Sequence, residues 1–377
     1  MKLFLIAIML VLPLSVCAKE LDVEELRVNK AQNQLPEVVN RYQSILQHML
    51  FKLKTAEDER HLNSISYQQG LKLWQQARVD VQSGNLDDRS LYWGRLWLAK
   101  HFKQAKTNQV NWLTQVALKG FEQSSRGITD ISFSDQSDIR ILVTGFDPFL
   151  LDKDISQSNP SGIAALALDN ISWRNKSNQQ VEIQSLIVPV RFKDFDQGLI
   201  EAIISPLIKH NKVDMIVTIS MGREHFDLER FPGLNRSSAV VDNLNVLTGA
   251  NVTKPLPPRL KKQPLQGPQF LEFSLPVAKM QQATGRYKIN DRRLVTTLTG
   301  QIDAANLNIL ANEISVQGSG GGYLSNEISY RTLLQLQNLQ SEIVAGHIHT
   351  PKIKGHDRQA ALDILKQIQK MLVLASH

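Results

Sequence analysis

A serine set just beyond a glycine run is the first feature of this chain that could do chemistry. The stretch reads Gly318-Ser319-Gly320-Gly321-Gly322-Tyr323-Leu324-Ser325-Asn326-Glu327, a pliant turn that delivers Ser325 to the start of a helical pattern. Such a serine either caps the helix through its hydroxyl or acts as a nucleophile where the helix N-terminus offers backbone N–H groups to an oxyanion. A nucleophilic hydroxyl needs a base, and His349, in Gly346-His347-Ile348-His349-Thr350-Pro351, supplies an imidazole. His347 lies two residues away, on the same side of a regular strand. A metal site there would need a third ligand that the sequence does not place. Glu229, next to Arg230, reads by itself as half of a surface ion pair. The chain order Glu…Ser…His, with no G-x-S-x-G around Ser325, argues against the nucleophile elbow of an α/β-hydrolase.

Thiol chemistry is not expected of the mature chain. The one cysteine, Cys17, falls in the opening run MKLFLIAIMLVLPLSVCA. That run predicts a secretory leader over residues 1–18, with Lys2 as its charged start, Leu3 to Val16 as its apolar stretch and Val16-Cys17-Ala18 as the small-residue cleavage site. It is too short for a comfortable membrane span. Export is therefore expected, into the periplasm. Lipidation of Cys17 is the lesser alternative, because Val16 fits a lipobox poorly. Removal of the leader leaves no disulfide, thiolate nucleophile or sulfur metal ligand.

The elements that must position these residues change texture once along the chain. Residues 19–122 place apolar side chains at three- and four-residue spacing, as in PEVVNRYQSILQHMLFKLK and DDRSLYWGRLWLAKHFKQ, and predict a helical N-terminal domain. Trp74, Trp93, Trp97 and Trp112 fall within it and are expected to fill its core. The polar, Ser-rich residues 123–137 read as a linker. From 138 to 377, β-rich runs alternate with helical ones: IRILVTGF, then NPSGIAALALDNI; VEIQSLIVPV, then DFDQGLIEAIISPLIKHN; VDMIVTIS; NLNILANEISV, then SNEISYRTLLQLQNL; EIVAGHIH, then DRQAALDILKQIQKMLVLA. Continuous Val/Ile runs alternating with amphipathic helices predict an α/β domain with a mostly parallel sheet covered on both faces. Sites in such domains gather at the carboxyl ends of strands. Phe146, Glu229 and His349 each end or follow a β-run, and Ser325 follows one through its glycine turn. Asn159-Pro160-Ser161 reads as N-cap, first residue and start of a helix.

Composition narrows the function classes. The 377 residues, 42% hydrophobic and 21% charged, suit a globular protein with room for two domains. The formal charge of +7 is modest, and no basic stripe with interleaved aromatics occurs, so nucleic-acid binding is not expected. The densest basic stretch, KPLPPRLKKQPL (254–265), is broken by prolines and reads as a solvated loop. No long apolar run follows the leader, so no stable membrane span is expected.

Several stretches, taken together and in order, resemble the pyroglutamyl peptidase I (pyrrolidone-carboxylate peptidase) family over residues 138–377. ILVTGFDPF followed by NPS is similar to that family's ILxTGFxPF…NPS; MGREHFDLERF resembles its GRxxIxxER; GGGYLSNEISY resembles its AGxYxCNxxxY; FSLPVAKM and GHIHTP match the segments before the nucleophile and around the histidine. The resemblance implies a three-layer α/β/α fold and cleavage of an N-terminal pyroglutamyl amide, with no metal or organic cofactor. It implies a nucleophile at Ser325, a base at His349, an orienting carboxylate at Glu229, and contact of the pyrrolidone ring with Phe146 and Phe149. The partner implied is a peptide that begins with pyroglutamate, and homo-oligomers are compatible with it. The helical residues before 138 stand outside the resemblance.

The departures matter as much. Serine stands where the family has its catalytic cysteine, and Leu150-Leu151 where it has Gly-Gly. Pro232 is inserted, Asn235 is shifted by one residue, and Ser238 or Ala239 falls where an oxyanion-assisting arginine is expected, with Arg236 as the nearest substitute. Two functions follow: an exported hydrolase using Ser325, or a catalytically inactive relative that binds pyroglutamyl or lactam-like groups.

Overall fold

The computed structural model describes residues 21–56, 58–105 and 112–377. Residues 1–18, expected to be a leader, with Cys17, and the side chain of Trp112 lie outside the described residues. The apolar spacing of the first hundred residues forms helices α1 (Val23–Gln34), α2 (Pro36–Val39), α3 (Gln43–Lys54), α4 (Glu59–Gln82), α5 (Arg89–Ala105) and α6 (Trp112–Ser124). Asp22 opens α1 with a capping box, accepting from Glu25 N while the Glu25 carboxylate accepts from Asp22 N. Asp58 caps α4 through His61 N. Trp74, Trp93 and Trp97 are buried.

The remainder runs β1 (Ile139–Phe146), α7 (Pro160–Leu168), β2 (Ile171–Arg174), β3 (Gln180–Val188), α8 (Phe192–Asp196), α9 (Leu199–Lys209), β4 (Met215–Met221) and β5 (Phe226–Glu229). It continues through β6 (Arg259–Leu260), β7 (Gln263–Pro264), α10 (Val277–Met280), β8 (Ile289–Arg292), β9 (Leu294–Thr297), β10 (Gly300–Asp303) and β11 (Ser315–Gln317) to α11 (Leu324–Asn338), β12 (Val344–Thr350) and α12 (Arg358–Ala375). Among the described residues the main sheet has seven strands in the order β2-β3-β1-β4-β12-β5-β8. Its inner strands β3, β1, β4 and β12 are parallel neighbours, as the Val/Ile runs predict. Helices α7 and α12 pack together on one layer and α9 and α11 on the other, which gives the expected mostly parallel α/β architecture preceded by helices.

Some elements differ from the sequence pattern. NLNILANEISV contributes only the short strand β11, in a separate sheet with β9 and β10, because Asn306 caps a 3-10 turn over Leu307–Leu310 first. Strand β5 and the edge strand β8, FDLE and INDR, are short and charged, and no apolar run announces them. The basic stretch at 254–265 folds back as a small hairpin of β6 and β7.

The helical region does not hang from a tether. Helix α4 lies against α7, where Trp74 Nε1 donates to Asp169 Oδ2 at 3.1 Å and Gln82 Nε2 to Asp169 O at 2.8 Å. One hydrophobic core runs from Leu46 and Trp93 through to Ile141 and Ile216.

Charged groups are buried with it. Glu24 accepts from the Tyr92 hydroxyl at 2.9 Å and lies 3.4 Å from Arg191 Nη1. Burial pushes its carboxyl up to about 7, with Arg191 offsetting only part of that cost. A carboxyl raised on folding holds its proton in the native state, so its contribution is full below the unfolded value and is lost as pH rises through about 7. We expect the melting temperature of the native chain to fall between pH 5 and pH 8 relative to Glu24→Gln, by on the order of 2 kcal/mol in stability. Parallel thermal melts of the two proteins across that range check it, and parallel pH profiles would contradict the assignment.

Candidate active site

The carboxyl ends of the parallel strands bring the expected side chains to one edge. Strands β4 and β12 run side by side with His349 opposite Ser220 and His347 opposite Thr218. Strand β5 returns antiparallel along β12, with Asp227 opposite His349. Side chains alternate faces along a strand, so Glu229, two residues beyond Asp227, reaches His349 on the diagonal. Its Oε1 lies 2.6 Å from His349 Nδ1. Both residues are buried, Glu229 at 1% exposure.

Burial pushes the Glu229 carboxyl up from its usual range, while His349 and then Arg223 pull it back. Arg223 Nη1 stands 3.4 Å from Oε1 and 2.7 Å from Asp227 Oδ2. Glu229 is therefore not a surface partner of Arg230, which binds Asp291 instead at 2.9 and 3.0 Å. With Nδ1 directed at Glu229, Nε2 is the ring nitrogen left to take a proton, and no hydrogen bond among the described residues engages it.

Ser325 is not the helix cap. It is the second residue of α11, and the cap position is Tyr323, in extended conformation and without a side-chain capping bond. The glycine turn arrives from β11 through Gly321 at φ 91, a left-handed conformation that favours glycine. A Cβ on Gly322 would come within 2.0 Å of Ser237 Oγ. Ser325 Oγ makes one long bond, 3.5 Å to Gly320 O. Gly320 in turn faces the pair: a Cβ there would lie 3.5 Å from Glu229 Oε2 and 3.6 Å from His349 Cε1. Gly320 thus stands between Ser325 and the Glu229–His349 pair, and no hydrogen bond joins Ser325 to His349. The backbone N–H groups of Leu324, Ser325 and Asn326 open α11 without a helical acceptor.

Asn326 locks this turn to the segment that follows Glu229, accepting from Gly233 N at 2.9 Å and donating to Gly233 O at 2.7 Å. Ser319 does the same at Phe231, through Oγ and its own N–H, both at 2.9 Å. The two chain segments that carry Glu229 and Ser325 are zipped together.

A small pocket opens beside Ser325, lined by Phe146, Phe149, Val190, Met221 and Leu324 on its apolar sides. Ser220, Asn159 and Tyr323 complete the lining. Both predicted phenylalanines line it together with Ser325, whereas Glu229 and His349 do not. Val190, Ser220, Met221 and Tyr323 were not singled out by the sequence as pocket residues, since the strand pairing that gathers them is not written locally.

The turn that carries the phenylalanines is braced from the helical region. Asp147, directly after Phe146, is buried and paired with Arg95 of α5 and with Arg126, whose Nη1 lies 2.8 Å away. Asp88 accepts from Asn159 N with both oxygens at 3.1 Å, and Asn159 Nδ2 donates to Asp147 O at 2.9 Å. Asn159 is the cap of α7, accepting from Ser161 N. Leu150 adopts φ 61, so the Leu-Leu pair enters a left-handed turn at a cost of roughly 1–2 kcal/mol.

Arg236 does not stand in for the missing arginine. Its Nε donates to Glu327 Oε2 at 2.6 Å and its Nη2 to Asp196 Oδ1 at 2.8 Å, with the guanidinium 4.9 Å from the Phe192 ring. Every nitrogen of the fork is engaged there, away from Ser325. Among the described residues no group of three or more His, Cys, Asp or Glu side chains is arranged to hold a metal ion. No helix among them is long and apolar enough to cross a membrane.

Comparison with known proteins places the chain beside two family models and several peptidases. Residues 140–257 and 303–354 match the family model described as the PA0049 C-terminal domain, and residues 14–116 match the PA0049 N-terminal domain. The uncharacterized protein PA0049 of Pseudomonas aeruginosa is 27% identical over an alignment of 395 positions that covers 77% of this chain and 69% of that protein. Among solved structures, pyrrolidone carboxyl peptidase from Pyrococcus furiosus is similar at a TM-score of 0.42, 18% identity, and coverage of 63% of this chain and 98% of that one. Pyroglutamyl peptidase I from Bacillus amyloliquefaciens is similar at a TM-score of 0.42 and 20% identity, with 63% and 95% covered.

Proposed function

We propose that the chain is a hydrolase that cleaves an N-terminal pyroglutamyl or closely related amide, with Ser325 as nucleophile, His349 as base and Glu229 as the carboxylate that orients it. The observation that carries this reading is the buried 2.6 Å contact between Glu229 and His349, which Gly320 faces while its carbonyl lies 3.5 Å from Oγ of a serine lining an apolar pocket. Phe146 and Phe149 give that pocket flat apolar walls, which suit the face of a small ring. The likeness of the surrounding motifs to the pyroglutamyl peptidases supports the same substrate class.

The chemistry follows from the placement. Substrate binding draws Ser325 Oγ to His349 Nε2, a contact that often closes only in the loaded enzyme. The oxygen adds to the amide carbonyl carbon as its proton passes to Nε2. The oxyanion faces the open N–H groups at the start of α11, with the helix dipole behind them. His349 then protonates the departing amine as the C–N bond breaks, leaving an ester on Ser325. Water, activated by the same nitrogen, cleaves that ester and restores the hydroxyl. Glu229 keeps Nδ1 protonated throughout and balances the imidazolium.

We place the activity outside the cytoplasm, in the periplasm, once the leader at 1–18 is removed, on the strength of that leader's pattern. N-terminal sequencing of protein recovered from the periplasm tests this. The catalytic reading is tested by release of a fluorogenic amine from its pyroglutamyl amide, using purified mature protein. Phe149→Ala is expected to raise KM about tenfold with a much smaller change in kcat, because it removes an apolar face and no reacting group. The absence of a hydrogen bond between Ser325 and His349 favours the second reading, a lactam-binding protein without turnover. Lactam binding without release of the fluorogenic amine would establish it.

A further inference from the structure

Ser220 lines the same pocket as Ser325 but belongs to a separate hydrogen-bond chain. The His347 ring lies between two hydroxyls, with Thr218 Oγ1 2.8 Å from Nδ1 and Ser220 Oγ 2.7 Å from Nε2. All three residues are buried, and Thr218 and His347 are inaccessible to solvent. Neither Glu229 nor Ser325 depends on this group for a hydrogen bond.

Most of the pocket's polar atoms are already spent. Asn159 accepts from Ser161 and donates to Asp147. The Tyr323 hydroxyl donates to Val241 O at 2.9 Å. The Ser220 hydroxyl, with one proton and two lone pairs, gives only one of these to His347. It is the polar group with capacity to spare beside Ser325.

The imidazole sets which capacity that is. Burial, and then the neighbouring His349, hold His347 well below the usual histidine range, so the ring is neutral and carries one proton. If Thr218 directs its proton to Gly346 O, 3.3 Å away, Nδ1–H donates to Thr218 and Nε2 accepts from Ser220. Ser220 then offers lone pairs to a ligand N–H. If Thr218 donates to Nδ1 instead, Nε2–H donates to Ser220, whose own proton is free for a ligand carbonyl. An amide edge carries both kinds of group, and a tautomer change of His347 matches Ser220 to either.

The same geometry raises the question of a second nucleophile, since a serine–imidazole contact of 2.7 Å is closer than anything Ser325 makes. The surroundings decide against it. Attack by Ser220 would leave a proton on His347, a cation in a fully buried site whose direct partners are two hydroxyls and whose ring neighbour, at 4.9 Å, is His349. The carboxylate that could balance such a charge is bonded to His349.

We infer that Ser220, with its proton set by His347 and Thr218, is the specificity-determining residue that hydrogen-bonds the amide edge of a small neutral lactam in this pocket. The inference rests on the pocket's role in the proposed hydrolase. Its test titrates the purified full chain, wild type, Ser220→Ala and Thr218→Val, with 2-pyrrolidone and with cyclopentanone, which keeps the ring and carbonyl but lacks the N–H. Binding is followed by NMR, and folding by thermal melt. Wild type should prefer the lactam by about tenfold, the worth of one buried hydrogen bond, and Ser220→Ala should lose that preference. Thr218→Val keeps the Ser220 hydroxyl but removes Thr218 Oγ1 from the relay, and should lose part of that preference. On the pyroglutamyl amide, Ser220→Ala should raise KM about tenfold and move kcat far less. Lactam binding with an unchanged preference in Ser220→Ala overturns the inference and leaves the hydrolase reading standing. A large fall in kcat at constant KM also overturns it, by making Ser220 a reacting group. If wild type binds neither ring, both readings fall together.

Discussion

Ser325→Ala is expected to abolish release of amine from a pyroglutamyl amide, lowering kcat by at least about 10³-fold while KM changes little. The variant removes one oxygen whose only hydrogen bond among the described residues is the 3.5 Å contact to Gly320 O, so stability should stay within about 0.5 kcal/mol of the parent. The combination matters: a loss of turnover with an unchanged melt assigns the effect to chemistry. Residual turnover at the native rate would show that another group does the work, and Ser220 would be the first to test. Ser325→Cys distinguishes the two functions in a different way. A thiol is larger and more readily ionised beside an imidazole than a hydroxyl. If the native chain is inert and the cysteine variant turns over, then the pocket and the Glu229–His349 pair are competent and the serine alone limits the reaction.

The sequence carried the parts of the site that sit on recognisable local patterns, and missed those that depend on how distant strands pair. Ser325 and the phenylalanines belong to stretches whose glycines, prolines and β-runs can be read in place. Their convergence on one pocket follows from Phe146 and Met221 ending neighbouring parallel strands. By contrast, the contact between Ser220 and His347 depends on the register of β4 against β12, and those strands are separated by more than a hundred residues. Nothing within either run sets that register. The direction of β5 was equally hidden, since the four residues FDLE are too few to say which strand they pair with or which way they run. Ser325 was legible as a residue at a helix start but not as a residue inside the first turn, because the extended entry at Tyr323 depends on the glycines folding against Ser237. The helical region could be read as helices, yet its bracing of Asp147 and Asn159 requires Arg95 and Asp88 to arrive from one face of the bundle.

Glu229→Gln is the second large effect, and it separates catalysis from stability in the opposite direction to most core substitutions. An amide keeps the shape of the carboxylate and can still accept from Nδ1. What it cannot do is hold that tautomer by charge or balance an imidazolium. We expect kcat to fall by about 10²–10⁴-fold with KM nearly constant. Stability should hold or rise, because burial already disfavours the ionised carboxyl in the folded chain and a neutral amide avoids that cost. The pH dependence follows the same sign. A carboxyl raised on folding is protonated at a higher pH than an exposed glutamate, so as pH falls the native enzyme loses its orienting charge early. Protonation of Glu229 then contributes to the acid limb of kcat/KM. In Glu229→Gln that carboxyl no longer titrates, and the limb should change position. A variant with native kcat and an unmoved acid limb would falsify the orienting role of Glu229, and with it the reading of the buried pair as the engine of the reaction.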